Sequence, residues 1–142
     1  MTTIGLWGED KSCKTTFALS SPKKMAILEI DIGGFDRACR NLPHLPIKDW
    51  FISGQIIYEG YPIPPQGVVL GANGMVTFSP SKTVTGIKEL FYKFASDYFN
   101  HLRNPEVQSI AIDTGTLLYN TVICDGFMQE LQEKQMPLKP NS

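Results

Sequence analysis

The 142-residue chain has no excess of charge, few cysteines and no long apolar run, and each absence excludes a class of protein. Its 13 basic and 14 acidic residues give a net charge of −1, so no overall attraction to nucleic acid or to an anionic membrane is expected. Three cysteines without a CxxC pair fit a reducing cytoplasm better than a disulfide framework or a structural zinc site. No apolar run reaches the length of a membrane span. We therefore expect a single cytoplasmic domain with no membrane partner.

The most informative feature of the chain is the stretch GEDKSCKT, from Gly8 to Thr15. It matches the phosphate-loop pattern G-x-x-x-x-G-K-[ST], except that Cys13 replaces the second glycine. An apolar run, 4–7, precedes the stretch and a helix-compatible run, 15–19, follows it, which is the strand, loop and helix context of such loops. Backbone N–H groups of the loop and the positive end of the helix dipole then favour a bound phosphate. The predicted nucleotide-binding residues are Gly8, Glu9, Asp10, Lys11, Ser12, Cys13, Lys14, Thr15 and Thr16.

Within this loop the pattern gives Lys14 and Thr15 specific chemical tasks. The Lys14 ammonium is expected to reach the β- and γ-phosphates of ATP and act in catalysis, and the Thr15 hydroxyl to bind Mg²⁺. At Cys13, a side chain in the left-handed conformation that glycine normally adopts costs about 1–2 kcal/mol. We expect the loop to tolerate this cost; the alternatives are a redox-sensitive thiol and a loop that has lost its affinity for nucleotide.

Carboxylates at the ends of two predicted strands complete the candidate site. Asp113 ends an apolar strand at 109–114 and is predicted to bind Mg²⁺ together with Thr15, the alternative being a cap on the following helix. Asp31 follows the strand at 25–30 and is predicted to orient or deprotonate the attacking water. Glu29 lies on the same face of that strand and is treated as a supporting acid. The alternative for Asp31 is that it only begins the turn into the next two glycines.

The remaining pattern predicts an α/β fold in one domain, 1–142, with a mostly parallel sheet flanked by helices. A Gly- and Pro-rich insertion occupies about 47–84. Predicted strands are 4–7, 25–30, 55–59, 67–70 and 109–114, and predicted helices are 14–20, 35–42, 85–102 and 116–135, before an extended tail at 136–142.

Four segments together resemble a known group: Gly8-Glu9, Leu28–Ala38 (LEIDIGGFDRA), Ile112–Thr116 (IDTGT) and Met128–Gln135 (MQELQEKQ). The chain resembles, over almost its whole length, phage-associated nucleotide-binding proteins of RecA-like fold, P-loop ATPases that include single-strand-annealing and recombination-accessory types. The resemblance implies a RecA-like core and Mg²⁺-dependent ATP hydrolysis in phage DNA recombination or replication, in the host cytoplasm. It implies single-stranded DNA and a homo-oligomer as partners.

The same resemblance assigns roles to individual residues. Lys14 and Thr15 take the phosphate and magnesium roles, Asp113 the second magnesium role, and Asp31 the position of the catalytic acid. Only 29 residues follow Asp113, so the later strands of a RecA-like core are expected to be absent unless the 47–81 region fills the gap. The alternative function is a non-hydrolysing nucleotide-binding, structural or partner-binding module, because Cys13 replaces the loop glycine. A small-molecule kinase is a third, less favoured function, because no arginine-rich lid is evident.

Overall fold

The chain contains both helices and strands in the computed structural model, which describes residues 2–9, 13–66, 68–70, 73–74, 76–78 and 84–135. In chain order the elements are α1 (Lys14–Leu19), β1 (Met25–Glu29), α2 (Gly34–Asn41), α3 (Ile47–Ile52), β2 (Ile56–Gly60), β3 (Val68–Leu70), β4 (Val76–Phe78), α4 (Ile87–Arg103), β5 (Ser109–Asp113), α5 (Gly115–Leu117), a π-helical segment π1 (Leu118–Ile123) and α6 (Cys124–Gln135).

The centre of the fold is a parallel three-stranded sheet of order β2-β1-β5. The register pairs Glu29 at the end of β1 with Asp113 on one side and with Gly60 on the other. The carboxyl ends of all three strands therefore lie at one edge of the sheet. Strands β3 and β4 form a separate antiparallel pair. The α/β class with a small parallel sheet flanked by helices is confirmed.

Successive side chains of β1 point to opposite faces of the sheet, and each face is covered by helices. Met25 and Ile27 belong to an apolar cluster with residues of α1, α2 and α3. Leu28 on the other face belongs to a second cluster, with Phe94 of α4 and Val122 of π1. Every residue of β1 is buried, which is the burial expected of a central parallel strand and agrees with its continuous apolar sequence.

The strand predicted at 4–7 is wrong. Ile4 and Trp7 are 63% and 86% exposed, and the segment runs without strand pairing beside the carboxyl end of β5. The Trp7 ring folds back over Gly5, where an added Cβ would lie 2.5 Å from a ring carbon. A short run that contains glycine has low strand propensity and needs a partner strand to form. Among the described residues, no strand pairs with the outer edge of β5.

The insertion contains a helix that the sequence did not predict and a strand that it did. Pro46 precedes α3 and Asp49 lies in its first turn, both of them local signals for a helix start. Strand β2 confirms the prediction at 55–59 but lies on the side of β1 opposite to β5. Strand β2 therefore does not fill the space between the loop and the Asp113 strand. Part of the insertion, residues 67, 71–72, 75 and 79–83, and the tail at 136–142 lie outside the described residues.

The helices predicted at 14–20, 35–42, 85–102 and 116–135 are confirmed to within two residues at each end. The last of them changes from α to π geometry at π1 and back at α6. Its first turn is capped by Thr114, whose Oγ1 accepts a hydrogen bond from the N–H of Leu117 at 3.3 Å. Because Thr114 supplies the cap, the carboxylate of Asp113 is left for another role.

Candidate functional site

A cavity of about 600 Å³ opens at the carboxyl ends of β1 and β5. Its volume is within the range of small-molecule sites, and its position is where parallel α/β sheets bind ligands. Residues 4–8, α1, one face of β1, Phe35, the end of β5 and residues 114–116 form its walls. The polar side chains in these walls include those of Lys14, Thr15, Glu29 and Asp113, together with Thr114 and Thr116. The phosphate-loop residues and the predicted magnesium ligand therefore share one cavity, although about 100 residues separate them in the chain.

The Lys14 side chain folds back over its own loop. Its Nζ donates hydrogen bonds to the carbonyl oxygens of Gly8, at 2.8 Å, and Glu9, at 2.7 Å. A phosphate bound in the cavity would offer this ammonium a charged acceptor in place of neutral carbonyls, and charge-assisted hydrogen bonds are the stronger kind. Lys14 therefore lies in the wall of the cavity, and its role as a phosphate ligand stays a prediction.

The other predicted loop residues divide into three groups. Gly8 and Thr15 line the cavity with Lys14. Thr16 is half-buried within α1 and, like Glu9, is not among the described residues that line the cavity. Asp10, Lys11 and Ser12 lie outside the described residues.

Cys13, the residue that departs from the loop pattern, adopts the left-handed conformation with φ 61° and ψ 17°. Among the described residues, Cys13 is the only residue other than glycine that has a positive φ. The backbone conformation that glycine would supply is therefore kept, and Cys13 carries the steric cost of its Cβ.

Replacing Cys13 with glycine is expected to stabilise the fold by about 0.5–1 kcal/mol, because the relief of strain exceeds the greater chain entropy that glycine adds to the unfolded state. The midpoint of urea unfolding measures this change. Cys13→Ser is the matched control, since serine keeps a Cβ and should leave the midpoint unchanged. Equal stabilisation by both substitutions would assign the effect to the thiol instead of the backbone.

The carboxylates of Glu29 and Asp113 converge on Gly34, the first residue of α2. Glu29 and Asp113 are paired in register on neighbouring strands, so their side chains leave the same face of the sheet. A Cβ built at Gly34 would lie 2.8 Å from Oε1 of Glu29 and 2.9 Å from Oδ2 of Asp113. Glycine at this position therefore allows the start of α2 to pack closely against both acids.

Glu29 is the more firmly held of the two acids. It is 1% exposed, and its carboxylate accepts three hydrogen bonds. The donors are the N–H of Phe35 to Oε1, at 2.5 Å, and the N–H of Gly33 and the hydroxyl of Tyr58 to Oε2, at 3.3 and 2.5 Å. A buried carboxylate that accepts hydrogen bonds on both of its oxygens has a fixed position and orientation.

Asp113 is half-buried beside other charges. Burial raises the pKa of the Asp113 carboxyl, and the negative charges of Glu29 and Asp31 raise it further, whereas Arg37 and Lys14 act in the opposite direction. Burial is thus the main cause that disfavours the charged form of Asp113, ahead of the neighbouring carboxylates. A divalent cation beside Asp113 would favour the charged form, with the Thr15 hydroxyl as a second oxygen in the walls of the same cavity.

The described residues offer no cluster of three or more His, Cys, Asp or Glu side chains arranged to hold a metal ion. Mg²⁺ is commonly bound by one or two protein oxygens together with substrate phosphates and water. Thr15 and Asp113 fit that kind of site better than a site made of protein ligands alone.

Asp113→Asn is expected to stabilise the protein without ligand at pH 7. A carboxyl whose pKa is raised on folding contributes stability below its usual pKa of 3.8, and that contribution is lost as the pH rises through the folded-state value. Asparagine removes the charged form, so the melting temperature of the variant should exceed that of the native chain at pH 7.

The difference in melting temperature should shrink as the pH is lowered toward 4. Asp36→Asn is the control, because Asp36 is exposed and pairs with Arg40 at 2.8 Å on the surface of α2. Its replacement should lower the melting temperature slightly or leave it unchanged. A destabilised Asp113→Asn variant at pH 7 would contradict this account of the site.

Asp31, predicted to orient the attacking water, lies at the rim. Its side chain is 53% exposed and faces the Arg37 guanidinium at 3.8 Å, and it is not among the described residues that line the cavity. Glu29, given only a supporting role from the sequence, is in the wall. Both acids were predicted to share a face, but β1 ends at Glu29 and the chain turns before Asp31.

Tyr58 is the site residue that sequence reasoning missed. It lies in the insertion, 29 residues after the acid to which it donates, and nothing in its local sequence links it to that acid. The Gly33-Gly34 pair was a usable signal, because two adjacent glycines after a buried strand often mark a close approach to the backbone.

Comparison with protein-family models, with curated proteins and with solved structures finds no match for the chain. Within the described residues, no helix combines the length and the apolar character that crossing a membrane requires.

Proposed function

We propose that the cavity binds ATP with Mg²⁺ and that the chain hydrolyses the terminal phosphate. The observation that carries this proposal is the placement of Lys14, Thr15, Glu29 and Asp113 in the walls of one cavity. A cation from the loop, a hydroxyl beside it and two carboxylates from adjacent strand ends are the side chains that phosphoryl transfer to water requires. The parallel sheet with helices on both faces is compatible with a RecA-like P-loop core, although residues 4–7, which precede the loop, do not form a strand.

In this proposal each residue has a separate task. The Lys14 ammonium group donates its hydrogen bonds to phosphate oxygens instead of to the carbonyl oxygens of its own loop. Thr15 and Asp113 would hold the metal ion. Mg²⁺, when bound, neutralises charge on the phosphate oxygens. Glu29 accepts a hydrogen bond from the attacking water and so directs its oxygen toward the terminal phosphorus. That oxygen forms the new bond as the bond to the bridging oxygen breaks, and a proton of the water passes to an oxygen of the transferred phosphoryl group, which yields ADP and inorganic phosphate.

The choice between Glu29 and Asp31 as the acid that orients water follows from their positions. Glu29 is buried in the wall with a fixed carboxylate, whereas Asp31 is exposed and faces Arg37 at the rim. Positioning dominates the catalysis of phosphoryl transfer, so a fixed acid is favoured over one on an exposed turn.

Phosphate release from Mg²⁺–ATP tests the proposal. The native chain should turn over, Glu29→Gln should lower kcat by about a hundredfold or more, and Asp31→Asn should change it by less than about fivefold. Asp31→Asn is the matched control because it neutralises an acid two residues away. Failure of the native chain to release phosphate would overturn hydrolysis, and equal losses in the two variants would overturn the choice of Glu29.

The second candidate function is a nucleotide-binding or partner-binding module that does not hydrolyse ATP. The strained backbone at Cys13 favours it, because a Cβ in the loop occupies space that glycine would leave for phosphate. Binding without turnover in the native chain, with turnover restored in Cys13→Gly, would favour this function.

The proposed roles in phage DNA recombination or replication, with single-stranded DNA and a homo-oligomer, rest on the resemblance of the sequence segments alone. Stimulation of phosphate release by single-stranded DNA tests the DNA role. Turnover that is insensitive to added DNA would count against it.

A further inference from the structure

We propose that Tyr58 is a positioning residue for hydrolysis, holding the Glu29 carboxylate in the orientation that water attack needs. This inference rests on the proposed function and deepens it. It assigns a catalytic purpose to β2, a strand of the Gly- and Pro-rich insertion. Tyr58 itself acts through Glu29 and touches no reacting atom.

The register of the sheet brings Tyr58 to Glu29. Tyr58 is paired with Ile27 in the parallel ladder, so its side chain leaves the same face as those of Ile27 and Glu29. From there the hydroxyl reaches along the strand to Oε2 of Glu29 at 2.5 Å. Gly60, the residue paired with Glu29, leaves room for it: an added Cβ there would lie 3.1 Å from the Tyr58 hydroxyl oxygen.

The hydrogen bonds that Glu29 accepts from the described residues leave one acceptor position open. A carboxylate has about four lone-pair positions, two on each oxygen. Oε2 accepts from Tyr58 and from the N–H of Gly33, and Oε1 accepts from the N–H of Phe35. The remaining position is therefore on Oε1, the oxygen that lies beside Gly34 together with Oδ2 of Asp113. By occupying Oε2, Tyr58 leaves the open acceptor position of Glu29 on the oxygen that shares this neighbourhood with Asp113.

The ring of Tyr58 strengthens the same arrangement. It stacks on the ring of Phe35 with centroids 5.2 Å apart, and the N–H of Phe35 donates to the other oxygen of Glu29. Tyr58 therefore helps to fix both oxygens of the Glu29 carboxylate, Oε2 by its own hydrogen bond and Oε1 through its contact with Phe35. Burial raises the pKa of the Tyr58 phenol well above its usual value, and the hydrogen bond and charge of Glu29 raise it further, so the hydroxyl keeps its proton as a donor.

Tyr58→Phe removes the hydroxyl and keeps the stacked ring. We expect kcat for Mg²⁺–ATP hydrolysis to fall by about tenfold, because loss of orientation costs turnover more than binding. The KM and the equilibrium affinity for Mg²⁺–ATP should change by less than about twofold. In a Glu29→Gln background the same substitution should have almost no further effect, since Tyr58 acts through Glu29.

Tyr61→Phe is the matched control. The Tyr61 hydroxyl also donates to a carboxylate, Oδ2 of Asp97 at 2.9 Å, but on the other face of the sheet. It should lower the melting temperature as much as Tyr58→Phe or more, with kcat unchanged. Gly60→Ala is a second test that keeps the tyrosine: crowding the hydroxyl should lower kcat in the same direction.

The outcomes separate this inference from the proposed function. A native chain without turnover overturns both. A native chain that turns over, with Tyr58→Phe and Gly60→Ala at the native kcat, overturns the role of Tyr58 alone. Equal loss of kcat in Tyr61→Phe, or a full further loss from Tyr58→Phe in the Glu29→Gln background, also overturns it, because the effect would then be general or independent of Glu29.

Discussion

Lys14→Ala is expected to weaken the binding of Mg²⁺–ATP by about tenfold to a hundredfold. The substitution removes the loop cation that we assign to the phosphates, and a hydrogen bond to a charged group contributes about 1.5–3 kcal/mol, which is tenfold to more than a hundredfold in affinity. The fold itself should lose little stability, because the hydrogen bonds from Lys14 to Gly8 and Glu9 are exposed.

Tryptophan fluorescence can measure this loss of affinity. The chain has two tryptophans, and Trp7 lines the cavity, so its emission should change on nucleotide binding. Trp50 is half-buried against Lys23 and should respond little. Lys48→Ala, on the exposed surface of α3, is the control for loss of a positive charge. If Lys14→Ala and Lys48→Ala bind the nucleotide as the native chain does, the phosphate loop is not where ATP binds.

Gly34→Ala is expected to abolish turnover to about 1% of the native value or less. Its methyl group would lie 2.8 and 2.9 Å from oxygens of Glu29 and Asp113, closer than carbon and oxygen approach without a shift of one of them. Glu29 is held by three hydrogen bonds and cannot move cheaply, so Asp113 or the start of α2 must shift. A displacement of about 1 Å among catalytic groups costs about a hundredfold in rate.

Gly126→Ala is the control for Gly34→Ala. Gly126 lies within α6 and is not among the described residues that line the cavity, and an added Cβ there would lie 3.4 Å or more from its nearest neighbours. This variant should keep native turnover without loss of stability, while Gly34→Ala also loses about 1–3 kcal/mol in the free energy of unfolding. Similar behaviour of the two variants would show that the close packing of Gly34 against Glu29 and Asp113 has no role.

The parts of the fold that were predicted correctly depend on local sequence. The start of α1 at Lys14, the apolar strands β1 and β5, and the long helix α4 each follow from periodicity and from signals within a few residues. The position of Asp113 at a strand end beside the cavity follows in the same way, because parallel strands present their carboxyl ends together.

The parts that were wrong or missed depend on contacts between distant segments. The run at 4–7 has the apolar pattern of a strand, but a strand forms only where a neighbouring strand can pair with it. The sequence favoured Asp31 over Glu29 because Asp31 lies nearer the end of the strand, and it gave no sign that β2 brings Tyr58 to Glu29. Alternation along one strand predicts which face a side chain occupies, but not which distant donor will hold it.

Titration of the native chain with a fluorescent ATP analogue, in Mg²⁺ and then in excess EDTA, tests the central claim most directly. If the cavity holds nucleotide and metal as proposed, binding is saturable at micromolar concentration in Mg²⁺, and at least about tenfold weaker in EDTA, because Thr15 and Asp113 then lose the ion that joins them to the phosphates. Absence of saturable binding at millimolar nucleotide, or equal affinity in Mg²⁺ and EDTA, would contradict the account.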